Sequence, residues 1–354
     1  MSIIDNTITV VTSIAPNDIE TQKGALSSWS KLGFKIISVN NPEEILSLKD
    51  HFPEVTFTEA SRNAKELTEK PYIFFDDILN ALEATKTEIC GIVNSDIHLI
   101  ASDKFSELIA SEAKNCLIYG SRTEVESIDS LIGEEYRWGM DYFFFDKSII
   151  PIFPNSSFSL GAPWWDLWAC FIPTIKGFCV KNLIAPVAYH ITHPQRWSQQ
   201  VWVAYCEEFI SHCLFNNFSD QSKHFLGNTK SFISEKKYKE LAIYVSIFID
   251  RNSTKISLGD TGFLHEDRVI NFLIRKFVET EDQLIEAEKD RASRLEIINK
   301  QHEEFAEKLD TCEEDRAARL KVINQQAEDI GKLQRRIQMV ELAYYELMKK
   351  MKPQ

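Results

Sequence analysis

Between residues 7 and 120, short apolar runs alternate with stretches of helical periodicity, and no other feature constrains the chain as much. TITVVTSI is followed by a helical pattern from Thr21 to Leu32, then FKIISVN, the helical EEILSLKDHF, and VTFTEA. A further helix, IFFDDILNALEAT, leads into the apolar run EICGIVNSDIHLI. Strands that alternate with helices over connections this short predict an α/β layered domain built on a mostly parallel sheet. In such sheets ligands lie at the carboxyl ends of the strands.

After residue 120 the character changes twice. Residues 121 to 205 are rich in Trp, Phe, Pro and Gly, in RWGMDYFFFDKSIIPIFP, FSLGAPWWDLWACFIP and APVAYHITHPQRWSQQVW. An aromatic, loop-rich segment in this place is expected to complete a binding cleft. The first domain is accordingly drawn from 1 to 220. Residues 221 to 265 are read as helical packing material, with KKYKELAIYVSIFI broken by turns such as DRNSTK.

From Glu266 to the end at 354 the chain is charged and lacks proline until Pro353. Apolar residues recur in steps of mostly three and four, through Leu284, Leu295, Ile298, Phe305, Leu309, Leu320, Ile323, Ala327, Ile330, Ile337, Tyr344, Leu347 and Met351. This is a coiled-coil seam with polar interruptions at Glu288, His302 and Arg316. EKDRASRLEIINKQ, from Glu288, returns as EEDRAARLKVINQQ from Glu313, an offset of twenty-five residues. Seven turns over that offset give about 3.57 residues per turn and a shallow left-handed supercoil. The expectation is a homo-oligomer formed through this tail; the alternative is a solitary solvated helix held by its own ion pairs.

Composition narrows the function. A formal charge of −13, with no basic stripe, argues against a nucleic-acid partner. Seven cysteines (Cys90, Cys116, Cys170, Cys179, Cys206, Cys213, Cys312) form no CxxC pair, and MSIIDNT is not a basic-then-apolar leader. No apolar run reaches the ~18 to 20 residues of a membrane span. A cytoplasmic protein, or one held peripherally at the inner face of the membrane by a partner, is expected.

Three patches carry candidate chemistry. Asn94, Ser95, Asp96 and His98 stand at the end of the run GIVNSDIHLI. A departing nucleoside diphosphate must transfer its charge to something, and a divalent cation serves that purpose. Mg²⁺ and Mn²⁺ take oxygen ligands, and Mn²⁺ accepts imidazole as well. Asp96 supplies a carboxylate, Asn94 a contact to ribose or base, and His98 a direct or supporting ligand. The plain alternative is a turn or helix cap. In AYHITHPQRW, His190 and His193 offer late metal ligands and Arg196 a phosphate contact. In GAPWWDLW, Asp166 lies among Trp164, Trp165 and Trp168, where desolvation suits it to accept a proton and Trp165 offers an indole face to a sugar ring. A tryptophan-rich core with Asp166 capping a helix is the alternative.

The order of these patches resembles the GT-A class of glycosyltransferases, in particular bacterial family-two-like nucleotide-sugar transferases. It runs from the opening strand ITVVTSIAP, through NSD after a later strand and Gly161 to Trp168, to His190 to His193. The resemblance covers residues 7 to about 205. It implies a GT-A-like, Rossmann-related mixed sheet, with Thr12, Pro16 and Asn40 around the nucleotide and Asp96 on the metal. It further implies Asp166 as the base of an inverting transfer, and His190 or His193 closing the metal site. Asp141, in WGMDYFFFD, is a further candidate for sugar or acceptor hydroxyls. Asn94 departs from the DxD pattern and leaves one carboxylate fewer for the cation.

The implied activity is transfer from a nucleotide-diphosphate sugar to a glycan or lipid-linked glycan acceptor in bacterial surface polysaccharide synthesis, with Mn²⁺ or Mg²⁺. The rival readings are a non-catalytic scaffold that organises glycan-assembly partners through its coiled coil, and a nucleotidyltransferase. The second is disfavoured because no Gly-rich phosphate loop follows the first strand.

Overall fold

The structure is a computed structural model that describes residues 7–193, 197–215, 220–257 and 266–350. The chain divides into two compact units, Met1–Phe272 and Leu273–Gln354.

The first unit is a mixed sheet flanked by helices. Its elements in chain order are β1 (Thr9–Thr12), α1 (Ile19–Lys31), β2 (Lys35–Asn40), α2 (Pro42–Leu48), β3 (Thr56–Glu59), α3 (Lys65–Thr68) and α4 (Phe75–Glu83). β4 (Ile89–Val93), β5 (Ile97–Leu99), α5 (Phe105–Glu112), β6 (Cys116–Val125) and β7 (Gly133–Asp146) follow. Then come α6 (Trp165–Ile175), β8 (Cys179–Ile184), β9 (Ala188–Ile191), α7 (Gln199–Phe215), α8 (Asp220–Ser234), α9 (Tyr238–Arg251) and β10 (Thr254–Ser257). The strand order is β10-β8-β6-β7-β4-β1-β2-β3, and β7 alone in that row runs antiparallel to its neighbours.

Two features position the site. The chain moves outward from β1 through β2 and β3 on one side and resumes with β4 on the other, so the carboxyl ends of β1 and β4 flank a topological switch point, where open α/β sheets bind ligands. The second is β6. Its first part pairs with β8, and its far end, Thr123 to Val125, pairs with β9, which in turn pairs with β5. A three-stranded β6-β9-β5 patch is thereby attached to the main sheet through one continuous strand.

Hydrophobic layers cover both faces. Val11, Phe143 and Phe145 face the layer that holds α4 and α6, whereas Val10 and Phe144 face the layer of Trp29 on α1 and Phe105 on α5. Successive strand residues point to opposite faces, so a strand in the middle of such a sheet needs apolar residues at every position. That explains why the stretch around Phe143, Phe144 and Phe145, read from sequence as part of a loop-rich aromatic segment, is a fourteen-residue strand. Gly91 makes room for it, since a Cβ there would lie 2.9 Å from the Phe144 ring.

The run EICGIVNSDIHLI likewise differs from its sequence reading as one strand. It breaks into β4 and β5 because the Asn94 N–H donates to the Asp141 carbonyl (2.9 Å) while the Ile97 N–H turns back to the Asn94 carbonyl (3.0 Å). Asn94, Ser95 and Asp96 therefore form a turn at the carboxyl edge.

In the second unit, α10 (Glu266–Lys350) continues as one helix. The two sequence copies carry the same ion pair one turn apart, Asp290 with Arg294 (2.8 Å) and Asp315 with Arg319 (2.7 Å). The seam residues Leu295, Ile298, Leu309, Leu320, Ile323 and Ile330 are all at least half exposed. No helix among the described residues is long and apolar enough to cross a membrane.

Candidate active site

The turn after β4 and the end of β9 bring Asp96, His190 and His193 together. Asp96 Oδ2 lies 3.3 Å from His193 Nε2 and 3.6 Å from His190 Nε2, and the two imidazoles meet edge to face with centroids 4.8 Å apart. One donor atom from each of the three lies within 4.8 Å of the others, the spacing of a set that can close on one cation. Strand register produces this: His190 is opposite Ile97 of β5 on one side and Glu124 of β6 on the other. Glu124 Oε2 accepts from His190 Nδ1 at 2.7 Å, which leaves Nε2 on the Asp96 side.

A second set of contacts leads from Glu124 back to the same turn. Arg122, two residues earlier on β6, bonds Glu124 Oε1 (2.7 Å) and pairs with Asp141 of β7. Asn94 Nδ2 donates to Asp141 Oδ1 at 2.6 Å. Asp166, in the first turn of α6, accepts from the Met140 N–H (3.3 Å), immediately before Asp141. The circuit thus contains Asp96, His190, Glu124, Arg122, Asp141 and Asn94, with Asp166 beside it.

The electrostatics follow from burial and pairing. Burial alone would raise the Asp96 carboxyl, but the hydrogen bonds and charges of His190 and His193 outweigh it and hold the group well below the usual carboxylate range. Burial lowers His190, yet its bonds to Asp96 and Glu124 lift it to about 9. Glu124, whose burial would raise it, is brought down to about 2 by His190 and Arg122. For Asp166, burial and then the Asp141 charge push the carboxyl up to about 6, against the Leu167 and Met140 backbone donors and Arg122.

The other residues singled out by sequence have varied surroundings. His98 is buried and its ring lies against Gly24 of α1, where an added Cβ would be 2.9 Å from Cε1; burial lowers its pKa, and it is not in the three-residue set. Trp165 is 2% exposed and packed by Phe75 and Phe143, so its faces belong to the core. Asn40 is fully buried, taking a hydrogen bond from Ser38 Oγ (2.6 Å) and giving others to the Ile14 carbonyl (2.8 Å) and Glu44 Oε2 (3.0 Å). It locks the end of β2 to the loop after β1. Thr12 is fully buried, with Oγ1 unpartnered among the described residues, and Pro16 is exposed in a bend. Arg196 lies outside the described residues.

Sequence reasoning missed Arg122 and Glu124. Their signal was present: after the apolar opening CLIY, SRTEV places two charges at period two in the same strand, and both fall on one face. Gln22 of α1 was missed as well. It is buried, accepts from Ser95 Oγ (2.7 Å) and from the Ala15 N–H (2.8 Å), and so ties the β1 and β4 loops together.

No protein-family model matches the chain, and no curated protein matches it by sequence. Solved structures match over part of it. The mannosyltransferase PcManGT from Pyrobaculum calidifontis, in complex with GDP-Man and Mn²⁺, is 12% identical over 69% of this chain and 73% of its own, with a TM-score of 0.39. The inositol-1-phosphate CTP transferase from T. maritima is 13% identical over 56% and 94%, with a TM-score of 0.36. HddC from Yersinia pseudotuberculosis is 14% identical over 43% and 82%, with a TM-score of 0.29. Likeness this distant carries no argument about activity.

Proposed function

We propose that the chain is a glycosyltransferase that moves a sugar from a nucleotide-diphosphate sugar to an acceptor hydroxyl of a glycan or lipid-linked glycan, in bacterial surface polysaccharide synthesis. The observation that carries this reading is the convergence of Asp96, His190 and His193 at the carboxyl edge beside the switch point, with Asp166 attached to the same circuit.

The donor set fits a divalent cation. One carboxylate oxygen and two imidazole nitrogens face one another, and a carboxylate behind His190 is the usual support of a ligating histidine. Two nitrogens favour Mn²⁺ over Mg²⁺. When bound, the cation supplies charge neutralisation for the departing diphosphate. The site favours it: the carboxylates of Asp96, Glu124, Asp141 and Asp166 outnumber the positive charges of Arg122 and, in the absence of the cation, His190, and such an excess of carboxylates disfavours a bare diphosphate. Asp166 takes the acceptor hydroxyl proton as the oxygen bonds to the anomeric carbon and the bond from that carbon to the phosphate oxygen breaks, which is the order of an inverting transfer. A carboxyl lifted to about 6 is a stronger base than an ordinary aspartate and is still ionised at neutral pH.

The exposed apolar seam of α10 is assigned to a second copy of the chain, because a stripe in steps of three and four is buried by a like helix. A scaffold without catalysis is the second reading. It is favoured by Asn94, whose amide is engaged by an Asp141 already paired with Arg122, so that neither offers a free carboxylate.

A thermal-shift titration with UDP- and GDP-sugars, with and without Mn²⁺, separates the two. The transferase reading expects one nucleotide sugar to raise the midpoint only when Mn²⁺ is present, by an amount that grows with ligand concentration, and expects Asp96→Ala to abolish the shift. If no nucleotide sugar moves the midpoint under either condition, the reading fails.

A further inference from the structure

We propose that Glu124 is a positioning residue for the cation pocket, holding the His190 ring so that Nε2 faces Asp96. The inference rests on the cation reading above and concerns a residue outside the donor set. Glu124 is the direct register neighbour of His190 across β6 and β9, so its carboxylate reaches the ring without a loop in between. Its two oxygens have separate tasks. Oε2 takes the Nδ1 hydrogen bond at 2.7 Å, while Oε1 is anchored at 2.7 Å by Arg122, which Asp141 grips from the other side.

Asp141 accepts in turn from Asn94, two residues before Asp96. The orientation of His190 is therefore fixed by a closed loop of contacts that begins and ends on the turn that presents the carboxylate ligand. An imidazole without this acceptor loses the hydrogen bond that sets its χ2 angle and the tautomer with Nδ1–H. Because His190 and His193 meet edge to face at 4.8 Å, rotation of the His190 ring would disturb both nitrogen donors.

The test is Mn²⁺ binding to the full chain, read from the electron paramagnetic resonance of the free ion, for wild type, Asp96→Ala, Glu124→Ala and Glu124→Gln, with a thermal midpoint for each. Glu124→Ala is expected to lose affinity 10- to 100-fold, about the cost of removing the partner behind a metal-ligating histidine. Glu124→Gln, which keeps a carbonyl acceptor for Nδ1–H, is expected to recover most of that loss, although it carries no more charge than Ala. A residue that only stabilised the fold would lower affinity in step with the midpoint and would show no such rescue. If Glu124→Ala does not fold, Glu124→Asp takes its place, with affinity expected below that of Glu124→Gln because the shorter side chain cannot span to Nδ1.

Wild-type binding that Asp96→Ala removes and Glu124→Ala leaves within about twofold would overturn the role of Glu124 alone. No Mn²⁺ binding by the wild type would overturn the cation reading with it.

Discussion

Asp166 combines two demands that pull against each other, since burial beside Asp141 makes it a better base and also makes its ionised form costly to keep. Its folded pKa of about 6 lies above the ordinary 3.8. The folded state therefore binds the proton more tightly, and this group's contribution to stability is full below about pH 4 and lost as pH rises through 6. Asp166→Asn should accordingly be more stable than wild type at pH 7 by about 2–3 kcal/mol, with the difference vanishing near pH 4; denaturant unfolding at the two pH values reads it. On the proposed transferase reading, transfer should show the opposite sign. Its rate in wild type should rise with pH through about 6, and Asp166→Asn should lose most activity while gaining stability. A variant both less stable and equally active would remove Asp166 from the role of base.

Legibility at this scale follows from chemistry type. Asp96, His190 and His193 stood out because charged and imidazole side chains interrupt apolar runs, whereas the burial of Trp165 against Phe75 and Phe143 depends on residues far away in sequence and could not be read from GAPWWDLW.

Among elements, β5 is the shortest strand of the described residues and follows directly on the Asp96 turn. It is tied to α1 by a buried hydrogen bond from Trp29 Nε1 to the Ile97 carbonyl at 2.7 Å. Trp29→Phe orphans that carbonyl and also leaves part of the indole's space unfilled, so a loss of at least about 1–3 kcal/mol is expected, measured as a lower denaturation midpoint with an unchanged denaturant slope. A neutral result would mean that the carbonyl finds another donor.

The pattern of strands and helices up to β4 was readable because each element there has its own period and its own turn signal. β7 was not, since a strand covered on both faces by Phe143, Phe144 and Phe145 has no alternation to read. The break between β4 and β5 was hidden for a different reason. It is made by a hydrogen bond from Asn94 to Asp141, forty-seven residues distant, and no local propensity encodes such a partner.

For the whole molecule, the compact unit ending at Phe272 has its own buried layers on both faces of its sheet. A chain cut after Phe272 should unfold cooperatively with little change in midpoint. Sedimentation should find it monomeric while the full chain is a concentration-dependent oligomer; equal masses for both would end the assignment of the α10 seam to a second copy. The tail was legible in outline because a twenty-five-residue return is visible by eye, and the matched pairs Asp290 with Arg294 and Asp315 with Arg319 recur at that interval.

One strand, β6, belongs to both the main sheet and the small β9-β5 patch, and this affects how the molecule breathes. Backbone amides from Cys116 to Val125 should exchange with deuterium through one shared opening event instead of two. The β9-β5 patch that carries His190 would then resist transient exposure about as long as the middle of the sheet, a durability that short peripheral strands paired on their own lack.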